Sequence, residues 1–147
     1  MELRRRTFLA LAPLALLACA QAAAAQVVEV VKTPWCGCCG HWIEHLRAEG
    51  FEVRVTDAED VTPTARRLGV PDDLRSCHTA SVEGYAIEGH VPAADIRRLL
   101  AERPDAAGIA VPGMPVGSPG MEQGDRRQPY TTILFRRDGA RTAFAQH

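Results

Sequence analysis

The chain has 147 residues, of which 46% are hydrophobic, 24% charged and 5% aromatic, and its formal net charge is −1. This length and composition fit one globular domain with one hydrophobic core better than two domains. A nucleic-acid-binding protein would need a basic face. Arg4, Arg5, Arg6 and Glu2 give the first 25 residues a net charge of +2, which leaves −1 − 2 = −3 for the remainder, so nucleic acid is not an expected partner.

Residues 1–25 have the layout of an export signal. Three arginines precede the apolar run 8–18, and small residues follow through Ala25. The run is shorter than the about 20 apolar residues that span a bilayer, so we expect a signal peptide that is removed and no transmembrane segment in the mature protein. Residues 5–9, Arg-Arg-Thr-Phe-Leu, also resemble a twin-arginine signal. Either route leads out of the cytoplasm.

Cys19 closes a Leu-Leu-Ala-Cys segment that resembles a bacterial lipobox. A lipid anchor at Cys19 and the loss of Cys19 with the signal peptide are both open at this point. The mature domain is expected to be residues 26–147, which keep four cysteines. For an even set of cysteines in an oxidising compartment, the default expectation is two disulfides.

Hydrophobic patterning predicts an α/β domain. Apolar runs and stop signals predict strands at 27–31 and 51–55 and helices at 40–50 and 62–68. Further along, they predict one strand at 79–88, a helix at 93–102, a strand at 130–135 and its hairpin partner at 140–144. The order is therefore β-α-β-α-β-α followed by a hairpin.

Residues 104–129 interrupt this pattern with five glycines, five prolines and little periodicity. A loop of this length inside a compact domain is typically functional, or it indicates a wrong assignment. Met114 and Met121 lie in it and are the only methionines besides Met1. Their confinement to one loop suggests thioether ligands, although chance explains two residues equally well.

Cys36, Cys38 and Cys39 place three thiols within four residues, directly after the first predicted strand and before the first predicted helix. A structural disulfide uses only two sulfurs, so at least one of the three is surplus. Clustered thiolates are selected by soft metals such as Cu(I) or Zn(II), and they also serve thiol–disulfide exchange. A helix N-terminus favours the thiolate form.

The turn Trp35-Cys-Gly-Cys-Cys39 is similar to the Trp-Cys-Gly-Pro-Cys turn of thioredoxins, with Cys38 in the place of the proline. More of the chain resembles the CopG-like family of bacterial periplasmic metal-binding proteins, a domain of unknown function. The resemblance rests on four ordered blocks, which are Lys32-Thr-Pro-Trp-Cys-Gly-Cys-Cys39, Ser76-Cys-His-Thr79, Tyr85-Ala-Ile-Glu-Gly-His-Val-Pro92, and 108–121 with its Gly-Met-Pro and Pro-Gly-Met segments.

This resemblance implies a thioredoxin-like fold, with a central mixed β-sheet flanked by helices, and a location in the periplasm. It also implies copper binding through the Cys-x-Cys-Cys turn and the distal Cys77, with Met114 and Met121 at positions of the family motif. The expected function is Cu(I) binding, as a polynuclear cluster if the thiolates bridge several ions, in copper resistance. Other periplasmic copper-handling proteins are the expected partners.

Two questions about activity stay open in the sequence. If the site cycles between Cu(I) and Cu(II), the protein would be a copper oxidoreductase. The alternative is a thiol–disulfide oxidoreductase with Cys36 as nucleophile and Cys39 as its partner, against which the extra thiol of Cys38 argues. A Zn(II) site is less favoured, because a four-cysteine zinc site more usually has two separated Cys-x-x-Cys knuckles.

The histidines offer nitrogen ligands. His78 directly follows Cys77 and is a candidate ligand or hydrogen-bond donor beside the site. His41 and His45 are four residues apart and share a helix face, where such a pair is more often solvated than bound to metal. His90 and His147 are predicted to be surface residues.

Overall fold

The computed structural model describes residues 26–147, so the predictions of a signal peptide and of a lipid anchor at Cys19 lie outside the described residues. This part of the chain contains seven strands and three α-helices. They are β1 (Val27–Lys32), α1 (Gly37–Ala48), β2 (Glu52–Asp57), α2 (Thr62–Leu68), β3 (His78–Val82), β4 (Tyr85–Glu88), α3 (Ala93–Glu102), β5 (Gly108–Ala110), β6 (Thr131–Phe135) and β7 (Arg141–Gln146). None of the helices in residues 26–147 is long and apolar enough to cross a membrane.

All seven strands belong to one mixed sheet with the order β2-β1-β3-β4-β5-β6-β7. The pairs β1 with β2 and β4 with β5 are parallel, and the other neighbours are antiparallel. Helices join the parallel pairs, as parallel neighbours require a crossover connection. The predicted α/β class with a mixed sheet and helices is confirmed.

The central strands are buried on both faces. One face of the sheet, with Ile87, Ile109 and Leu134, packs in the same cluster as residues of α1 and α3. The alternate positions Ala86 and Phe135 face the smaller cluster that contains Ala65 of α2. Because successive residues of a strand point to opposite faces, α2 lies on the other side of the sheet from α1 and α3.

Most predicted elements agree with the structure, and two assignments were wrong. The predicted strand 79–88 is a hairpin of β3 and β4, because Glu83 and Gly84 both have positive φ and reverse the chain. The predicted loop 104–129 contains β5, which has only three residues and a glycine-rich surround that gives no periodicity. In addition, α1 begins at Gly37, three residues before the predicted start, so it includes two of the cysteines.

Candidate metal centre

The first strand and the first helix position the Cys-x-Cys-Cys turn. Cys36 caps the N-terminus of α1, its N–H donates to the carbonyl oxygen of Thr33 (3.2 Å), and Cys38 and Cys39 lie in the first helical turn. Cys77 comes from another part of the chain. Because β1 and β3 are antiparallel neighbours with Lys32 opposite His78, the end of β1 lies beside the start of β3, and Cys77 lies beside the turn.

The four sulfur atoms lie around one point. The Cys38 Sγ is 3.5 Å from the Cys36 Sγ and 3.8 Å from the Cys77 Sγ, and the Cys39 Sγ is 3.6 Å from the Cys77 Sγ. Cys36 and Cys39 form a disulfide, whereas Cys38 and Cys77 are free. The default expectation of two disulfides therefore does not hold, since one bridge forms and leaves two thiols.

A second group of metal-binding side chains shares Cys77 with the first. The Cys77 Sγ is 3.2 Å from His90 Nε2 and 3.4 Å from His78 Nδ1, and the three donor atoms lie within 4.8 Å of one another. The four cysteine sulfurs also all lie within 4.8 Å of one another. Cys77 is thus the one residue that belongs to both groups in the described chain.

His90 is fully buried, so its assignment to the surface was wrong. Its Nδ1 lies 2.8 Å from the carbonyl oxygen of Pro119, which can only accept a hydrogen bond, so Nδ1 carries the proton. The lone pair of Nε2 then points at Cys77, which is the orientation that a metal-binding histidine needs. The block Gly89-His-Val-Pro92 is visible in the sequence, but its burial depends on a loop 29 residues away.

His78 is also fully buried and packs against Trp42, with 4.3 Å between the ring centroids. Its Nε2 has no hydrogen-bond partner among the described residues. Burial, reinforced by the nearby His90, lowers the pKa of His78 from 6.5 to about 3. The ring is therefore neutral at physiological pH and keeps a lone pair with which to bind a metal.

Cys77 lies before β3 and not at a helix N-terminus, and its surroundings favour the neutral thiol. Burial and the neighbouring Cys38 raise the pKa of Cys77 from 9.0 to about 12, so this thiol is protonated at neutral pH. A metal must displace that proton to bind. The site as a whole suits ligation by a soft cation better than reaction of a free thiolate at Cys77.

The part of the predicted loop 104–129 that carries Met114 and Met121, which we call the methionine loop or covering loop, contacts the site from two sides. The Ser76 hydroxyl donates to the carbonyl oxygen of Gly113 (2.5 Å), Pro119 holds His90, and Gly120 packs against the backbone of α1 at Cys38. Met114 and Met121 directly follow Gly113 and Gly120. The side chain of Met114 is half exposed.

The remaining histidines lie outside both donor groups. His41 is exposed, and His147 lies at the surface, as predicted, where its Nε2 contacts Asp95 (2.9 Å). His45 is half-buried, and its Nε2 accepts a hydrogen bond from the N–H of Ala93 at the start of α3 (3.2 Å). This bond gives His45 a structural role.

Acid is expected to destabilise the metal-free protein. Burial lowers the pKa values of His45, His78 and His90, so the unfolded chain takes up protons that the folded chain does not. For His78, stability is complete above pH 6.5 and is lost as the pH falls from 6.5 towards about 3, with a limiting slope of about 1.4 kcal/mol per pH unit.

Urea unfolding of the metal-free protein at neutral pH and at about pH 5 measures this loss. A His45→Gln variant, whose side-chain oxygen still accepts the bond from Ala93, should lose less stability than the parent on acidification. His41→Gln, on the exposed part of the same helix, is the matched control and should retain the parent's pH dependence. Equal stability of the parent at both pH values would contradict the prediction.

The fold and the site together define an α/β protein with a cysteine cluster that is capable of binding a metal. A family model described as a protein of unknown function, DUF411, matches residues 74–121. Two solved structures of a copper resistance protein copG, form 2 and form 1, are each 47% identical in sequence, with a TM-score of 0.80. Each match covers 84% of this chain and 98% of the other. The chain belongs to the CopG-like family, as its resemblance predicted, and no match was found among curated proteins.

Proposed function

We propose that this protein binds Cu(I) in copper resistance, through Cys36, Cys38, Cys39 and Cys77, after an external dithiol has reduced the Cys36–Cys39 disulfide with two electrons and become a disulfide itself. The observation that carries the proposal is the convergence of three other sulfurs and two buried imidazoles on the sulfur of Cys77. Thiolates are soft, can bridge several ions and select Cu(I), and imidazole also suits copper. The names of the similar solved structures point to the same metal.

His78 and His90 extend this ligand set with nitrogen atoms, and Met114 and Met121 are candidates for thioether ligands from the covering loop. Zn(II) fits less well, because structural zinc sites are usually closed tetrahedra of four ligands, whereas the two groups here together offer six cysteine and histidine donors, Cys77 included. The mixture of thiolate and imidazole donors is compatible with both Cu(I) and Cu(II), so the proposal includes a copper oxidoreductase that cycles between them.

The proposal also covers the cellular setting and the fold. We place the mature protein, residues 26–147, in the periplasm after removal of residues 1–25, with other periplasmic copper-handling proteins as partners. The order of strand, cysteine turn, helix and parallel strand, followed by an antiparallel hairpin and a helix, supports a thioredoxin-like fold.

A second candidate function is thiol–disulfide exchange, and the disulfide between Cys36 and Cys39 favours it. In that reaction an external dithiol would reduce the bridge with two electrons and become a disulfide itself. The free thiol of Cys38, 3.5 Å from the Cys36 sulfur, is a competing partner inside the same site. For this reason we favour copper binding.

Metal content and free thiols, measured on protein purified anaerobically from the periplasm of copper-supplemented cells, test the proposal. We expect at least one copper per chain in the parent and none in a variant with Cys36, Cys38 and Cys39 all replaced by serine. His41→Gln, an exposed change on the same helix, is the control and should keep its copper. A parent that contains no metal but exchanges disulfides through Cys36 and Cys39 would establish the second function.

A further inference from the structure

Glu88 is a fully buried carboxylate that belongs to neither group of donor atoms. It ends β4, opposite Thr79 of β3. Acidic side chains are rarely buried unless they are paired, because the burial of a charge costs free energy. Its presence directly behind the metal centre therefore requires a reason.

The contacts of Glu88 bracket two of the candidate ligands. Its Oε1 accepts a hydrogen bond from the N–H of Ser76 (2.7 Å), and its Oε2 accepts one from the hydroxyl of Thr79 (2.6 Å). Cys77 and His78 are the two residues between these donors. One carboxylate thus fixes the chain on both sides of the segment that presents a sulfur and a nitrogen to the site.

Arg75 compensates for the buried charge. Its Nε lies 3.7 Å from the Glu88 Oε1, and its side chain is only 18% exposed. The other end of the guanidinium donates to the hydroxyl of Thr62 at the start of α2 (3.2 Å). The carboxylate is therefore held between the segment that contains Cys77 and a cation that is itself anchored to a helix.

Ser76 extends the connection to the covering loop. While its N–H donates to Glu88, its hydroxyl donates to the carbonyl oxygen of Gly113, the residue before Met114. The same hydroxyl lies 4.0 Å from the Cys77 sulfur. A continuous chain of hydrogen bonds therefore runs from Glu88 through Ser76 to the methionine loop, alongside Cys77.

We propose that Glu88 is a positioning residue, whose two hydrogen bonds set the place of the Cys77 sulfur relative to the cysteine turn and, through Ser76, the place of the loop over the site. The consequence for copper affinity rests on the proposed function. The placement of Cys77 does not rest on the proposed function, because it can be measured without metal.

Two substitutions separate hydrogen bonding from mere burial. Glu88→Gln retains both bonds, since its amide oxygen can accept from Ser76 and its amide N–H can donate to the Thr79 hydroxyl. Glu88→Ala removes both. Asp95→Ala is the matched control, because Asp95 is also a buried acid, bonded to Thr132, but it lies outside the metal centre.

The first readout is metal-free. In the form with the Cys36–Cys39 disulfide, Cys38 and Cys77 are the free thiols of residues 26–147, and mass spectrometry gives the ratio of their alkylation rates. Glu88→Ala should raise the rate at Cys77 relative to Cys38 about tenfold, because the segment opens locally. Glu88→Gln and Asp95→Ala should stay within about twofold of the parent.

The second readout is Cu(I) affinity of the reduced variants, measured by competition with a chromogenic Cu(I) chelator. The Cu(I) affinity of Glu88→Ala should be at least about tenfold lower than that of the parent, which is the usual cost of losing a group that orients a ligand. Glu88→Gln should bind Cu(I) like the parent. If Glu88→Ala does not fold, Thr79→Val, which removes only the hydroxyl that donates to the Glu88 Oε2, should raise Cys77 alkylation in its place.

Unchanged Cys77 alkylation in a folded Glu88→Ala variant would overturn the inference. A Glu88→Gln variant in which Cys77 alkylation rises as much as in Glu88→Ala would also overturn it. The charge of Glu88, and not its hydrogen bonds, would then hold Cys77 in place. The expected alkylation pattern in a protein whose parent binds no copper would support the placement of Cys77 and refute only the proposed function.

Discussion

A Cys77→Ser variant is expected to bind fewer copper ions per chain than the parent while it keeps the parent's fold. Cys77 contributes to both donor groups, so its loss leaves the turn with three sulfurs and removes the link to His78 and His90. A serine hydroxyl is a hard donor that Cu(I) does not favour. We expect the affinity for the remaining copper to fall at least about tenfold.

Anaerobic copper titration, with copper counted per chain, measures this effect, and circular dichroism of the metal-free variant tests the fold. Cys77 forms no disulfide, so the stability cost should be only about 1 kcal/mol. Cys38→Ser is the informative comparison. Cys38 is also a free thiol, but it belongs only to the four-sulfur group, so its loss should leave the nitrogen-containing group intact. If Cys77→Ser instead lowers the folded fraction, while each folded molecule binds as much copper as the parent, then Cys77 is a structural residue.

Gly120→Ala is expected to release the covering loop from α1. Gly120 has φ +84°, and a Cβ there would lie 2.7 Å from the backbone nitrogen of Trp42 and 2.9 Å from the carbonyl oxygen of Cys38. The backbone of a helix cannot move away from so close a contact. The left-handed conformation and the overlap together should cost about 3 kcal/mol or more, and the loop should detach to avoid part of that cost.

Limited proteolysis within 112–130 and the rate of Cu(I) loss to a chelator both measure this detachment, and both should increase. Gly124→Ala is the matched control in the same loop. Gly124 has φ +57°, and a Cβ added there would meet nothing within 4 Å, so the substitution should cost only about 1 kcal/mol and leave both rates close to those of the parent. Equal behaviour of the two variants would show that the contact at Gly120 does not hold the loop.

Local signals were sufficient to predict the elements that have a clear period or a clear stop. The helix α2 was predicted at 62–68 from Thr62-Pro63 and Gly69, and α3 at 93–102 from its apolar stripe, and both have these bounds in the structure. The turn at Glu83 was missed because a glutamate rarely adopts positive φ, so only Gly84 signalled it.

The candidate site was partly predictable for a similar reason. The Cys-x-Cys-Cys turn is visible in the sequence, and the resemblance added Cys77. The structure places all four together, while their role as ligands stays a prediction. His90 could not be found from local pattern, because its burial and its proton position depend on Pro119 of a loop that has no periodicity. The pairing of Cys36 with Cys39 was one of several connectivities that spacing alone permits.

The two outer strands of the sheet bear on self-association. β2 and β7 each have one side without a strand neighbour in the described chain, and such an edge can template pairing with another molecule. Exposed charges lie on both edges, with Glu52 and Arg54 paired on β2 and Arg141 paired with Asp73 on β7. A β-bulge between Thr132 and Ile133 also disturbs the regular pairing beside β7. These features oppose edge-to-edge aggregation of the folded domain, whether or not the cysteines hold a metal.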